Sequence, residues 1–290
     1  VISIDVADPR NRIYTLLANR LDIPVIQIQA GAINQECIEW SFCYDDLMLS
    51  HGPHVKQELV KLGFNKNKVI ETGSTKIEKS LNLIQSQKTI LRNRFNISEN
   101  KILILFLTSY VDLFDTQKIL NTQKRVYKDI YSSVINEVKK SQNISLVIKP
   151  HPLEKPHQLK EHKKISSSID NIYISNHRDN SSEMIAGSDV VVSYGSTATI
   201  DAIVLGKAVI CPKFDDFVLN KYIEDSNSVL IPKNIKELSN IFEIINQGKM
   251  FEIKKQCKSG RDIFLKDLTN LNSSPTKKIV SCIYETSRNL

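Results

Sequence analysis

The chain lacks the sequence features that mark membrane-spanning, secreted and zinc-binding proteins. Its longest wholly apolar run is Ile102–Leu107, far below the roughly 20 residues that span a bilayer. It does not open on a basic segment followed by an apolar one, which is the pattern of a signal peptide. The five cysteines are scattered and form no Cys-x-x-Cys pair. We therefore expect neither a disulfide framework nor a zinc site, and we expect a cytoplasmic location.

Two further absences bear on cofactors and nucleic acid. There is no Asp-x-Asp triplet to hold a divalent ion on a diphosphate, and the histidines lack ligand spacing, so we expect no metal and no resident cofactor. The net charge of +7 would suit nucleic acid, but the lysines alternate with acids and no basic arm or glycine–aromatic signature appears. We expect no nucleic-acid partner, while attraction to anionic lipid or to phosphorylated substrates stays open.

Strand and helix patterns alternate along the 290 residues with short loops, as in parallel α/β proteins. For residues 1–80 we predict strands at Val1–Ala7, Pro24–Gln29, Asp46–Ser50 and Lys68–Thr72, and helices at Arg10–Leu21 and His54–Leu62. This resembles the tail of a doubly wound domain, and the chain starts at Val1 instead of Met. We expect the first domain to be incomplete, with sequence missing upstream. Residues 81–99 are interpreted as a linker.

Residues 100–275 predict a complete Rossmann-like domain, and residues 276–290 a C-terminal helix. The apolar run in Lys101–Leu107 is typical of a central strand buried on both faces. If all strands are parallel, their carboxyl ends share one edge of the sheet, where ligands of such sheets bind. Polar or small residues follow three of these strands, at Thr108-Ser109, Lys149–Pro152 and Ser193–Thr197.

The most informative stretch is Ser188–Ile210, which reads as strand, tight turn, helix and strand. The turn places hydroxyl side chains and free backbone N–H groups at the start of a helix, where partial positive charge favours an anion such as a phosphate. An ordinary βαβ crossover with a Ser or Thr N-cap explains the pattern equally well.

The His151-Pro152 pair has a similar double interpretation. Pro152 disfavours helical backbone at His151, so the imidazole is held in an extended turn where it can donate a hydrogen bond to a phosphate oxygen. The alternative is a loop histidine that the backbone satisfies.

These motifs together resemble the donor-binding half of GT-B glycosyltransferases. The resemblance rests on Val147–Pro152 (VIKPHP) and Ser188–Ile210 (SDVVVSYGSTATIDAIVLGKAVI), with Ile23–Gly31 (IPVIQIQAG) and Lys61–Ser74 (KLGFNKNKVIETGS) in the first half. It covers about residues 20–80 and 100–215. It is nearest to bacterial capsule and surface-polysaccharide enzymes: sialyltransferase-like and Kdo-transferase-like families, and the CDP-glycerol glycerophosphotransferases of teichoic acid synthesis.

The resemblance implies a donor site in the second half. Its members are Thr108, Ser109, Lys149, His151, Pro152, Ser193, Gly195, Ser196, Thr197 and Asp201. His151 would contact the donor phosphate, the turn after Val192 would hold the same phosphate or the ribose, and Thr108 with Ser109 would line the nucleotide cleft. Asp201 sits where many relatives bond ribose hydroxyls, although one turn into a helix it is equally an exposed acid.

On the acceptor side the chain departs from these relatives, because Ala30 stands where they often have histidine. His51 is the substitute candidate for a catalytic role, against the commoner role of a turn histidine. Glu36, with Glu39 near it, is the nearest carboxylate that could activate an acceptor hydroxyl, which requires hydrogen-bond reach of that hydroxyl.

We therefore predict a two-domain α/β GT-B protein that transfers a sugar without a metal from a nucleotide-activated donor to a surface polysaccharide or a lipid-linked acceptor. The donor would be a CMP-sugar or another nucleotide sugar, and the protein would work in the cytoplasm, at the inner face of the plasma membrane. The alternatives are a CDP-polyol phosphotransferase, a sugar-nucleotide epimerase and a catalytically silent nucleotide-sugar-binding subunit.

Overall fold

All strand pairs of the described residues are parallel, and they form two separate sheets. The computed structural model describes residues 1–4, 8–30, 40, 45–81, 84–109, 117–194, 196–215, 219, 221–268 and 273–288. The chain divides into a first unit, Val1–Lys79 with Asp262–Leu290, and a second unit, Ser80–Arg261. The predicted α/β class with two parallel sheets is confirmed.

The strands are β1 (Ile2–Ser3), β2 (Ile26–Ile28), β3 (Leu47–Ser50), β4 (Val69–Glu71), β5 (Ile102–Leu107), β6 (Ile144–Lys149), β7 (Ile172–Ile174), β8 (Val190–Val192) and β9 (Ala208–Ile210). The helices are α1 (Pro9–Arg20), α2 (Pro53–Lys61), α3 (Thr75–Leu81), α4 (Ile84–Arg94), α5 (Gln117–Lys140), α6 (Pro156–Ser166), α7 (Ser181–Gly187), α8 (Thr197–Val204), α9 (Lys221–Asp225), α10 (Ile235–Asn246), α11 (Met250–Leu268) and α12 (Pro275–Arg288). No helix among the described residues is both long enough and apolar enough to cross a membrane.

In the first unit the strands follow chain order, β1-β2-β3-β4. Helix α12 covers this sheet, because its Ile279 and Cys282 pack with Ile26 and Leu49. Glu78, in α3, accepts hydrogen bonds from the hydroxyls of Ser274 (2.8 Å) and Thr276 (2.5 Å) just before and within α12. The end of the chain is thus part of the first unit.

In helix α1 most of the apolar residues are exposed, although their helical spacing places them on one face. Thr15 and Ala18 are its buried residues, whereas Ile13, Leu17 and Leu21 are 57%, 49% and 69% exposed. The sequence places these apolar residues on one face, but it does not show which face meets the sheet.

The buried carboxyl of Asp45 makes the stability of the first unit depend on pH. Asp45 is 3% exposed, and its partner among the described residues is the Thr15 hydroxyl at 3.5 Å. Burial raises the pKa of Asp45 to about 6, although the Thr15 bond acts in the opposite direction. A folded-state pKa above the unfolded one means that stability is highest at low pH and is lost as the pH rises from about 4 to about 6.

We expect Asp45→Asn to stabilise the protein at pH 8 by about 3 kcal/mol, because a shift of one pKa unit corresponds to 1.36 kcal/mol. At pH 4, where Asp45 is protonated in the folded state, the variant and the parent should melt at nearly the same temperature. Urea denaturation at both pH values measures the difference, with the exposed Asp22→Asn as the control. An equal effect of Asp45→Asn at pH 4 and pH 8 would contradict the prediction.

In the second unit the strand order is β7-β6-β5-β8-β9. The chain moves outward from β5 through β6 to β7, and then returns to the other side of β5 to form β8 and β9. Strand β5 is therefore central, as the apolar run predicts, and Leu103, Ile104, Leu105 and Phe106 are fully buried. Such a reversal opens a crevice at the carboxyl ends of the strands on either side of it, which here are β5 and β8.

Candidate functional site

A cleft of about 400 Å³ lies at this reversal of the strand order, a volume typical of small-molecule sites. Its lining residues are Leu107, Thr108, Ser109, Lys149, Pro150, His151, Pro152, Asp179, Ser181, Ser193, Tyr194, Ser196, Thr197 and Ala198. They follow β5, β6, β7 and β8, so the strand ends do share one edge. The structure brings together eight of the ten predicted donor-site residues. Of the other two, Gly195 is outside the described residues and Asp201 does not line the cleft.

His151 is fixed at the end of β6 through its main chain and one ring nitrogen. Its N–H donates to the Thr108 hydroxyl at 2.8 Å and to Glu154 Oε1 at 3.1 Å. Its Nδ1 accepts the N–H of Leu153 at 3.2 Å. Burial, aided by the charge of Lys149, lowers the pKa of His151, while the charge of Glu154 opposes this. The neutral ring therefore carries its proton on Nε2, which makes that nitrogen a hydrogen-bond donor.

The turn after β8 leads directly into the N-terminus of α8. Ser196 is the N-cap residue, with extended backbone, and in the described structure its side chain makes no capping bond. Ser196 and Thr197 are exposed to the cleft. The Thr199 N–H donates to the Ser196 carbonyl at 2.9 Å. The N–H groups of Thr197 and Ala198 lie at the positive end of the helix dipole, where they can bind an anion.

The side chains of Ser193, which lines the cleft, and of Asp201, which does not, are both bonded to other side chains. The Ser193 hydroxyl is buried and pairs with the Thr199 hydroxyl at 2.9 Å. Asp201 is buried in α8, where it accepts a hydrogen bond from the Ser182 hydroxyl at 3.3 Å. The first pair fixes the turn on the helix, and the second ties α8 to α7. The ligand contact predicted for Asp201 stays a prediction.

Lys149 lines the cleft, but its ammonium group binds the backbone. It donates to the carbonyl oxygens of Pro150 and His177, each at 2.9 Å. Burial lowers the pKa of Lys149. The side chain therefore ties the end of β6 to the loop that follows β7, and it brings positive charge near His151.

Behind the cleft lies a buried polar chain that the sequence analysis missed. Glu154 Oε2 pairs with His162 Nε2 at 2.8 Å, and His162 Nδ1 pairs with the Tyr131 hydroxyl at 2.6 Å. Burial acts to raise the pKa of Glu154, but the bonds from His162 and Thr108 outweigh it, so the pKa is lowered. In the sequence, the only indication of this chain is an acidic residue, Glu154, three residues after His151. In the structure these two residues close a turn, in which the Glu154 N–H donates to the His151 carbonyl at 3.0 Å.

The predicted catalytic residues belong to the first unit. The N–H of His51 donates to Gln29 Oε1 at 2.7 Å, and its Nε2 pairs with the Gln29 carbonyl oxygen at 3.1 Å. Burial lowers the pKa of His51 to about 4, although the Gln29 carbonyl opposes the shift. A base with this pKa accepts a proton poorly at pH 7. Glu36 lies outside the described residues.

Metal-ligating side chains do not cluster in the part of the chain that the structure describes. No three histidine, cysteine or acidic residues there are grouped as they would be around an ion. Among the described residues, the hydrogen-bond donors that line the cleft include the His151 ring, the hydroxyls of Ser196 and Thr197, and the first amides of α8.

Solved structures of three proteins share this fold over nearly the whole chain. S. aureus MnaA, in a co-structure with UDP, has a TM-score of 0.68 and 14% identity, over 100% of this chain and 76% of that one. UDP-GlcNAc 2-epimerase from Neisseria meningitidis, bound to UDP-GlcNAc, has a TM-score of 0.67 and 18% identity, over 98% of this chain and 75% of that one. A glycosyltransferase from Rickettsia africae has a TM-score of 0.58 and 12% identity, over 100% of this chain and 77% of that one.

No protein-family model and no curated protein matches the sequence. At such low identities the structural likeness shows the fold alone. It confirms the predicted fold class, an α/β fold with two parallel sheets.

Proposed function

We propose that this protein binds a nucleotide-activated sugar in the cleft and transfers the sugar to an acceptor. The observation that carries the proposal is the convergence of two kinds of donor at one edge of the sheet. The neutral His151 ring presents Nε2–H, and α8 presents its first amides beside Ser196 and Thr197. Both suit the phosphate oxygens of a nucleotide, and two of the similar structures contain UDP or UDP-GlcNAc.

In the proposed transfer, an acceptor hydroxyl oxygen bonds to the anomeric carbon of the sugar. The bond from that carbon to the phosphate oxygen breaks, and the nucleotide leaves with the electron pair. The His151 ring and the α8 amides stabilise the negative charge that develops on this oxygen. The acceptor proton passes to a base, for which Glu36 remains our prediction because His51 is a weak base.

The finer parts of the proposal are the acceptor, the place of work and the absence of a metal. We propose a surface polysaccharide or a lipid-linked acceptor, reached from the cytoplasm at the membrane face. Metal-independent transfer is proposed because the chain has no Asp-x-Asp triplet, while amides and an imidazole are available for the leaving group.

The proposal is tested by thermal shift with CMP, CDP, UDP, GDP and ADP. At about 100 times the dissociation constant, a ligand stabilises the folded state by about 2.7 kcal/mol. We expect one nucleotide to shift the melting temperature, and Ser196→Asp to weaken its binding at least tenfold. Aspartate caps a helix as well as serine does, but it places negative charge where the phosphate would lie.

Ser196→Asn is the matched control, because asparagine has the same shape, also caps the helix and carries no charge. Binding should be much stronger in Ser196→Asn than in Ser196→Asp. If the two variants bind equally, the phosphate does not lie at α8. If no nucleotide shifts the melting temperature of the parent protein, the donor-site proposal is wrong.

A sugar-nucleotide epimerase is the second candidate, since the TM-score with the Neisseria meningitidis epimerase exceeds that with the Rickettsia africae glycosyltransferase. An epimerase converts the nucleotide sugar without an acceptor. Incubation of the protein with the sugar nucleotide alone, followed by NMR of the sugar, separates the two functions: a new stereoisomer favours the epimerase.

A further inference from the structure

One buried carboxylate connects the two strand ends that form the wall of the cleft. Glu154 Oε1 accepts a hydrogen bond from the Thr108 hydroxyl, at the end of β5, and from the His151 N–H, at the end of β6. The Thr108 oxygen in turn accepts the same His151 N–H. Because its proton points to Glu154, the Thr108 hydroxyl is set as an acceptor for His151 and not as a donor to a ligand.

The second carboxylate oxygen is held from the other side. His162 and Tyr131 form a chain behind Glu154, through bonds of 2.8 and 2.6 Å. The side chains of Glu154 and His162 are 1% and 7% exposed, and Tyr131 is buried. His162 Nε2 pairs with this second oxygen, and His162 Nδ1 pairs with the Tyr131 hydroxyl. Both oxygens of Glu154 are therefore fixed in direction.

None of these three residues lines the cleft. A buried carboxylate is costly unless hydrogen bonds compensate it, and an apolar residue of similar size would fill the same space at lower cost. The bonds that compensate Glu154 at Oε1 come from strand ends in the cleft wall and not from the sheet itself. The free-energy cost of burying the Glu154 charge is therefore compensated only while these two strand ends keep their positions in the cleft wall.

We propose that Glu154 is a positioning residue, which sets the place of the His151 imidazole by holding the His151 main chain and Thr108, with His162 and Tyr131 orienting its carboxylate. This role rests on the proposed function in one respect, that the cleft binds a nucleotide. The affinity for that nucleotide then depends on Glu154, which does not line the cleft. The role does not depend on the transfer reaction.

The test is a double-mutant cycle on the affinity for whichever nucleotide of the panel binds, measured by calorimetry. Glu154→Gln keeps the shape and removes the charge, and we expect it to raise the dissociation constant about tenfold. In a His151→Ala background the same change should have almost no effect, because Glu154 acts through His151. Glu161→Gln, at an exposed position of helix α6, which begins two residues after Glu154, is the control and should leave the affinity unchanged.

Two outcomes overturn the inference: unchanged affinity in Glu154→Gln, or the same loss with and without His151. If Glu154→Gln does not fold, His162→Gln and His162→Leu replace it, since glutamine keeps an N–H donor for the Glu154 carboxylate and leucine does not. The affinity should be higher in His162→Gln than in His162→Leu; equal affinities would again overturn the inference.

A separate measurement distinguishes this inference from the proposed function. The ¹⁵N shifts of the His151 ring, recorded without ligand, report its tautomer and surroundings. We expect Nδ1 to be the unprotonated nitrogen in the parent, and its signal to move in Glu154→Gln but not in Glu161→Gln. If no nucleotide binds, the proposed function is wrong, yet a moved signal still supports the positioning role and an unmoved signal refutes it.

Discussion

Replacing Gly260 by alanine is expected to destabilise the second unit by about 3 kcal/mol or more, although alanine is the better helix former. Gly260 lies within α11, where glycine costs about 1 kcal/mol relative to alanine. A Cβ at this position would lie 2.2 Å from the carbonyl oxygen of Ser226 and 2.2 Å from the carbonyl carbon of Asn227. These are backbone atoms, so no side-chain rotation relieves the overlap.

The neighbouring bonds leave little room for α11 to move away. Arg261 donates from Nε to the Ile203 carbonyl at 2.8 Å and from a terminal nitrogen to the Val204 carbonyl at 2.7 Å, at the end of α8. Asn227 has a φ of 53°, in the left-handed region, so its turn is also constrained. Relief of the overlap requires that these contacts change together.

A melting curve by circular dichroism measures the effect, which we expect to be a fall of about 10 °C for a unit of this size. Ser259→Ala, at the exposed neighbouring position of the same helix, is the control and should leave the melting temperature almost unchanged. If Gly260→Ala and Ser259→Ala have the same melting temperature, α11 does not approach the Ser226–Asn227 backbone closely enough to exclude a Cβ.

The second large effect is expected from Asp189→Ala, which leaves a buried guanidinium without its anion. Asp189 Oδ2 lies 2.5 Å from a terminal nitrogen of Arg92 and accepts the Leu103 N–H at 2.9 Å. The Arg92 side chain is 4% exposed. Removal of one partner of a buried pair typically costs about 3–5 kcal/mol, and we expect a loss in this range by chemical denaturation.

The double variant Asp189→Ala with Arg92→Met provides the internal comparison. It leaves no buried charge, so it should be more stable than Asp189→Ala alone. Asp170→Ala, at an exposed aspartate, should have little effect. If adding Arg92→Met destabilises the protein further, the cost of Asp189→Ala does not come from an unpaired charge.

The sequence predicted those parts of the structure that depend on local patterns. The apolar run before Thr108 indicated a central strand, and β5 lies at the centre of its sheet. Parallel alternation then implied that the ends of β5, β6 and β8 share an edge, and they line one cleft. Each step needs only the residue type, its spacing and the rule that parallel strands end together.

The parts that it did not predict depend on contacts between distant segments. Tyr131, Glu154 and His162 come from α5, a turn and α6, and none of them belongs to a local motif. Asp201 has the residue type and the spacing of a ligand contact, but its carboxylate accepts a hydrogen bond from the Ser182 hydroxyl on α7. In α1 the apolar spacing gave the helix but not its orientation, since Thr15 and Ala18 face inward.

The division of the chain also determines the order in which the two units can form during translation. The second unit is one continuous segment, Ser80–Arg261, whereas the first needs residues from both sides of it. Ile279 and Cys282 of α12, which cover β2 and β3, leave the ribosome after every residue of the second unit. Because domains generally fold as units as they are synthesised, the second unit can be complete while the sheet that precedes it still exposes apolar residues. The sheet of the first unit is therefore completed only after the second unit has been made, when α12 can cover it.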